Sequence, residues 1–89
     1  MIYVITFDPH KVDANQLHSI IDQSRLFLSW WHYVGSTYLV KSEFSSSDIT
    51  DEIIKKWHKN RFFVAEIDPY NYNGWLPPKA WEWIKKHRN

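Results

Sequence analysis

A hairpin near the middle of the chain constrains the fold more than any other feature of the sequence. Two runs rich in aromatic and β-branched residues lie between Ser29 and Lys41, and the pair Gly35-Ser36 separates them. Such residues favour strands, and a short Gly-containing connection between two strands is typical of a β-hairpin. The sequence therefore predicts strand two over 25–34, a turn at Gly35-Ser36 and strand three over 37–41.

Strand one is predicted over residues 2–7, which form an apolar run closed by Asp8-Pro9. A residue that precedes proline is disfavoured in a helix, so the run ends as a strand rather than continuing as a helix. Both faces of the run are apolar, which is typical of a central strand covered on both sides.

Two amphipathic helices are predicted, one on each side of the hairpin. Helix one begins at a capping-box spacing over 13–16, and apolar residues then recur at helical intervals, namely Leu17, Ile20 and Ile21. Helix two follows a polar, Ser-rich loop over 44–50. Its acidic start and basic end match the helix macrodipole, and its apolar stripe consists of Ile49, Ile53 and Trp57.

Strand four is predicted over 61–68, and Pro69 ends it. The remaining residues, 69–89, form a Trp-rich extension in which Pro78 suits the first position of a short helix. Without a repeat or a linker, residues 1–89 are predicted to be one domain, with a core over 1–68.

The order of these elements, βαββαβ, is the split βαβ pattern of ferredoxin-like folds. We therefore predict an α+β fold with one antiparallel sheet, two helices on one face and a short C-terminal helix. The second face of the sheet must also be covered, either by the C-terminal helix or by a second subunit.

The aromatic content predicts an interface. Aromatic residues make up 18% of only 89 residues, and six of them are Trp. A domain of this size is expected to hold a single hydrophobic core, which cannot readily enclose so many rings. We therefore expect a homodimer, or a protein partner, to contact the surplus rings: Trp30, Trp31, Tyr33, Trp75, Trp81 and Trp83.

Charge and cysteine content restrict the remaining classes of function. The chain has no Cys, which excludes disulfides and thiolate metal sites, and its net charge of +1 argues against a strongly electrostatic nucleic-acid binder. The N-terminal run lacks the basic region of a signal peptide, and no apolar run has the length of a membrane span. We expect a cytoplasmic protein with no membrane contact.

Few residues suggest chemistry. Asp8 is a candidate metal ligand, although Asp before Pro at a strand end is more typical of a turn. The topology predicts that Asp8 and Asp68 leave the sheet at opposite ends, which disfavours a carboxylate pair. The histidines lack metal-site spacing, and His18 and His87 are predicted to be solvated. A basic patch for nucleic acid could comprise Lys55, Lys59 and Arg61, although a solvated helix end explains the lysines as well.

Three stretches resemble a known group of proteins: Thr6-Phe7-Asp8, the hairpin over 31–40, and the strand over 61–67. They resemble small bacterial proteins labelled SinR-like and, more distantly, the CRISPR-associated adaptation endonuclease and virulence-associated protein D group. The resemblance implies a ferredoxin-like fold, a homodimer, and an Asp that closes strand one and binds a metal for phosphodiester cleavage. Asp8 matches that position, whereas Pro9 and the Trp-rich extension depart from the nucleases of the group.

Two functions follow as hypotheses. The first is a homodimeric protein-interaction or regulatory protein of phage, plasmid or defence-system origin, with no cofactor and no demonstrated chemistry. The alternative is a magnesium-dependent endonuclease, or another nucleic-acid-binding protein, with Asp8 at its site.

Overall fold

The computed structural model describes residues 1–8, 14–57 and 60–88 and has an α+β architecture with four strands and three helices in those ranges. In chain order, the elements are β1 (Ile2–Phe7), α1 (Ala14–Gln23), β2 (Ser29–His32), β3 (Thr37–Lys41), α2 (Ser46–Lys56), β4 (Phe62–Glu66) and α3 (Pro78–His87). The predicted types of all seven elements are therefore confirmed. Asp13, at the start of the predicted capping box, lies outside the described residues.

The four strands form one antiparallel sheet in the order β2-β3-β1-β4. β1 lies between β3 and β4, which confirms the prediction of a central strand. The β2–β3 hairpin turns at Gly35-Ser36, where the Thr37 N–H donates to the Val34 carbonyl at 3.0 Å.

The first face of the sheet packs against α1 and α2. Tyr3, Ile5 and Phe7 of β1 lie on this face and are buried. The two helices cover them with their predicted stripes: Leu17, Ile20, Ile21, Ile49, Ile53 and Trp57. Burial of these apolar side chains stabilises the fold at roughly 25 cal/mol for each Å² removed from water.

The second face packs against α3. Ile2, Trp83 and Ile84 are buried in a separate cluster, and Trp31 and Leu39 of the hairpin pack against it. The Trp83 indole N–H donates to the Ser29 hydroxyl at 3.1 Å, which ties α3 to the edge of the sheet. The sequence left open whether the C-terminal helix or a second subunit covers this face, and the structure shows the C-terminal helix there. The expectation of a single core is wrong, because the sheet separates two hydrophobic clusters.

Three predicted boundaries are also wrong, each because a side chain caps or turns the backbone. Strand two starts late, since the Ser24 hydroxyl accepts from the Leu26 N–H at 3.2 Å and forms a turn after α1. Helix two begins inside the predicted loop, because the Ser45 hydroxyl caps it by accepting from the Asp48 N–H at 3.1 Å. β4 is shorter than 61–68, and the Asp68 carboxylate instead accepts from the Tyr70 N–H at 2.9 Å.

None of the helices in the described ranges combines the length and the apolar character that crossing a membrane requires.

Candidate interaction surface

The six aromatic residues predicted at an interface occupy three different environments. Trp83 is buried, and Trp31 and Trp81 are half-buried in the cluster under α3, where Trp81 stacks on Tyr72 at 5.6 Å. Trp30 packs on the other side of the sheet against the first cluster. Only Tyr33, 66% exposed, and Trp75, 100% exposed, present most of their ring to solvent.

Tyr33 follows β2 directly and stacks on Trp31, with ring centroids 6.0 Å apart. Side chains alternate between the two faces of a strand, so Tyr33 lies on the α3 side of the sheet, as Trp31 does. The exposed Tyr33 ring therefore packs against the half-buried Trp31 ring.

Trp75 lies in the segment between β4 and α3, with Gly74 before it and two prolines shortly after it. Gly74 precedes it with φ 157°, a conformation that L side chains rarely adopt, and the Asn73 side-chain oxygen accepts from the Gly74 N–H at 2.8 Å. Pro77 follows in an extended conformation, with φ −56° and ψ 148°, and Pro78 begins α3. Pro77 also restricts the backbone of Leu76, which precedes it, so the segment that follows Trp75 has little conformational freedom to lose on binding.

Tyr33 and Trp75 line one open groove together with Leu76, Pro77 and Pro78. We call this set the Tyr33–Trp75 surface. Tyr and Trp are the side chains most enriched among residues that dominate protein–protein affinity, and a rigid backbone lowers the entropy cost of contact. The composition of the groove suits an apolar protein ligand.

Asp8 is exposed at the end of β1, where Phe7 pairs with Phe62 at the start of β4. Asp68 leaves from the opposite end, since the Ile67 N–H donates to the Ile2 carbonyl. The predicted separation of the two carboxylates is therefore confirmed. Across the ranges that the structure describes, no three His, Asp or Glu residues are grouped so that they could hold a metal ion.

The basic residues predicted to contact nucleic acid do not share one groove. Lys55 lines a groove together with three acidic residues, Asp48, Asp51 and Glu52, whose negative charge disfavours binding of a phosphate backbone there. Arg61 lines a different groove on the β4 side of α2. Lys59 lies outside the described residues. Trp57 is 1% exposed, which confirms its predicted place in the core and prevents it from stacking on a base.

The histidines have structural partners that the sequence pattern does not reveal. His18 Nδ1 lies 2.7 Å from the Tyr38 hydroxyl, and His87 Nδ1 lies 2.8 Å from the Trp83 carbonyl. Both side chains are half-buried, so the prediction that they are solvated is wrong. His32 stacks on Tyr38 at 3.9 Å, as a packing residue does. His10 and His58 lie outside the described residues.

Burial raises the pKa of the Tyr38 phenol. The pKa of Tyr3 is also raised, first by burial and then by the negative charges of Glu66 and Asp48. Both phenols therefore stay neutral near pH 7, and the Tyr3 hydroxyl donates to the Phe44 carbonyl at 2.7 Å. A neutral, hydrogen-bonded phenol stabilises the fold and is a poor nucleophile.

Comparisons of the chain with protein-family models, with curated proteins and with solved structures found no match.

Proposed function

We propose that the protein acts by association: two copies form a homodimer, and each presents the Tyr33–Trp75 surface to a protein partner. The single observation that carries this proposal is the complete exposure of Trp75 beside a mostly exposed Tyr33. An exposed indole ring contributes nothing to the stability of a small domain, but it contributes binding energy when a partner covers it.

The fold that we infer for this role is ferredoxin-like. Its support is the position of β1 between β3 and β4, with α1 and α2 on one face of the sheet. The same fold and a homodimer are what the resemblance to SinR-like proteins implies. A cytoplasmic setting belongs to this proposal too.

Quenching of tryptophan fluorescence by acrylamide tests the Tyr33–Trp75 surface without a known partner. The emission lost in Trp75→Phe should be quenched almost as readily as that of free indole, because the ring is fully exposed. This emission should stay quenchable at protein concentrations at which the chain is dimeric. Trp81→Phe is the matched control, since its half-buried ring should be quenched less readily.

Shielding of Trp75 as the protein concentration rises would contradict the arrangement. That result would mean that the dimer itself buries the Tyr33–Trp75 surface, which would then be unable to receive a partner.

The nuclease alternative is tested by incubation with RNA and DNA in the presence of magnesium or manganese. We expect no cleavage above that of an Asp8→Asn control, because no group of three His, Asp or Glu residues in the described ranges could hold a metal ion. Cleavage that is lost in Asp8→Asn would overturn the proposed function and would establish the enzyme.

A further inference from the structure

The outer edge of β4 is an edge of the sheet that the described residues form. β4 pairs with β1 on one side, and within the described part of the chain no strand lies on its other side. An edge of this kind presents a row of backbone donors and acceptors that a further strand can use. The opposite edge of the sheet, β2, is only four residues long and is tied to α3 by the Trp83–Ser29 hydrogen bond.

The hydrogen-bonding pattern identifies which backbone groups of β4 face outward. The Ile67 N–H donates to the Ile2 carbonyl at 2.9 Å, so Ile67 faces β1. Backbone groups alternate in direction along an antiparallel strand, so Phe63 and Ala65 also face β1. The outward-facing groups are therefore those of Phe62, Val64 and Glu66.

This edge lacks two of the features that commonly protect edge strands, Pro and Lys, and its one charged residue, Glu66, lies at its end. No Pro and no Lys occurs within Phe62–Glu66, and Phe63 is 62% exposed on the α3 side of the sheet. On the other side, α2 exposes Ile54 into the groove that Phe62 and Val64 line. Apolar side chains thus flank an open row of hydrogen-bonding groups on both faces.

We propose that the outer edge of β4 pairs antiparallel with the same edge of a second copy, across a two-fold axis at Val64. Two sheets then become one continuous sheet. The inference rests on the proposed homodimer and specifies how its two copies join, while the Tyr33–Trp75 surface stays free.

The sequence of β4 suits this register. With Val64 opposite the partner's Val64, Phe62 lies opposite the partner's Glu66, and all three outward residues fall in hydrogen-bonded pairs. These pairs exchange about six backbone hydrogen bonds. On the α3 side, Phe63 lies opposite the partner's Ala65, a small residue that leaves room for the ring. One register therefore pairs all the outward backbone groups and also places compatible side chains opposite each other.

Charge favours an antiparallel second copy. Arg61 precedes β4, and two acidic residues, Glu66 and Asp68, lie at its end. Antiparallel pairing places the basic start of each strand beside the acidic end of the other, within the range at which charges attract at physiological salt. Parallel pairing would place the two arginines side by side.

Hydrogen exchange measured by NMR at two protein concentrations tests the pairing at single residues. We expect the amides of Phe62, Val64 and Glu66 to exchange about tenfold more slowly when most of the protein is dimeric. The amides of Phe63 and Ala65 should change little, because β1 already bonds them in the monomer.

A matched pair of variants provides the second test. Phe63→Lys places two like charges near the two-fold axis and should raise the dissociation constant of the dimer at least about tenfold. Leu28→Lys is the control: Leu28 is 60% exposed, close to the value for Phe63, and lies next to β2 at the other edge of the sheet. It should leave the dissociation constant unchanged.

The outcomes separate this inference from the proposed function. A wild-type chain that stays monomeric refutes the homodimer itself. A second outcome refutes only the pairing through β4 and leaves the homodimer standing. In that outcome the wild-type chain is dimeric, but the three outward amides exchange at the same rate at both concentrations and Phe63→Lys does not weaken the dimer.

Discussion

Replacing Trp57 with alanine is expected to lower the free energy of unfolding by about 3–5 kcal/mol, the usual cost of truncating a large buried aromatic ring. Trp57 is 1% exposed and contacts Phe7 edge-on, with ring centroids 5.8 Å apart, where α2 meets the sheet. Urea denaturation followed by circular dichroism measures the change. Because small domains are stable by only about 5–15 kcal/mol, this loss is a large fraction of the total, and the midpoint of urea denaturation should fall accordingly.

Trp57→Phe should cost much less than Trp57→Ala. The indole nitrogen of Trp57 is buried, and no residue in the described ranges provides it with a hydrogen-bond partner. Phenylalanine removes this unsatisfied donor while it keeps most of the ring, so the two effects partly offset each other. Equal losses in the two variants would contradict the packing described for the first cluster.

Replacing Trp83 with alanine is expected to lower the free energy of unfolding by about 3 kcal/mol or more, through loss of ring packing and of the bond to Ser29. The effect tests whether α3 covers the second face of the sheet. Chemical denaturation again provides the measurement, with Trp75→Ala as the matched control. Trp75 is fully exposed, so its loss should change the free energy of unfolding by no more than about 0.5 kcal/mol.

Similar losses at Trp83 and Trp75 would mean that α3 does not pack against the sheet. In that case, the second face would need another cover, and a second subunit would again be the candidate.

Short-range patterns in the sequence predicted the elements correctly because each depends on neighbouring residues. The apolar run at β1, the Gly35 turn and the stripe that contains Trp57 are local signals, and all three elements have the predicted type. The predicted boundaries of elements were wrong where the hydrogen bond of a single side chain sets the end of the element. Ser45 reads as part of a polar loop in the sequence, yet its hydroxyl caps α2.

The locations of the many aromatic side chains were harder to predict from the sequence, because they depend on tertiary packing. Trp81 and Trp83 lie two residues apart in the same Trp-rich extension, and the sequence does not distinguish them. Only the structure shows that Trp83 bonds to Ser29 of the sheet, whereas Trp81 stacks on Tyr72. The exposure of Trp75 has a partial local signal, since it lies between Gly74 and a proline pair that cannot continue a helix. Recognising the open edge of β4 required the order of the strands.

The mass of the chain in solution tests the central proposal most directly. Sedimentation velocity at micromolar concentration should give a species of about twice the 10.8 kDa chain mass, which dissociates on dilution. A single 10.8 kDa species at every concentration would contradict association of two copies as the basis of function.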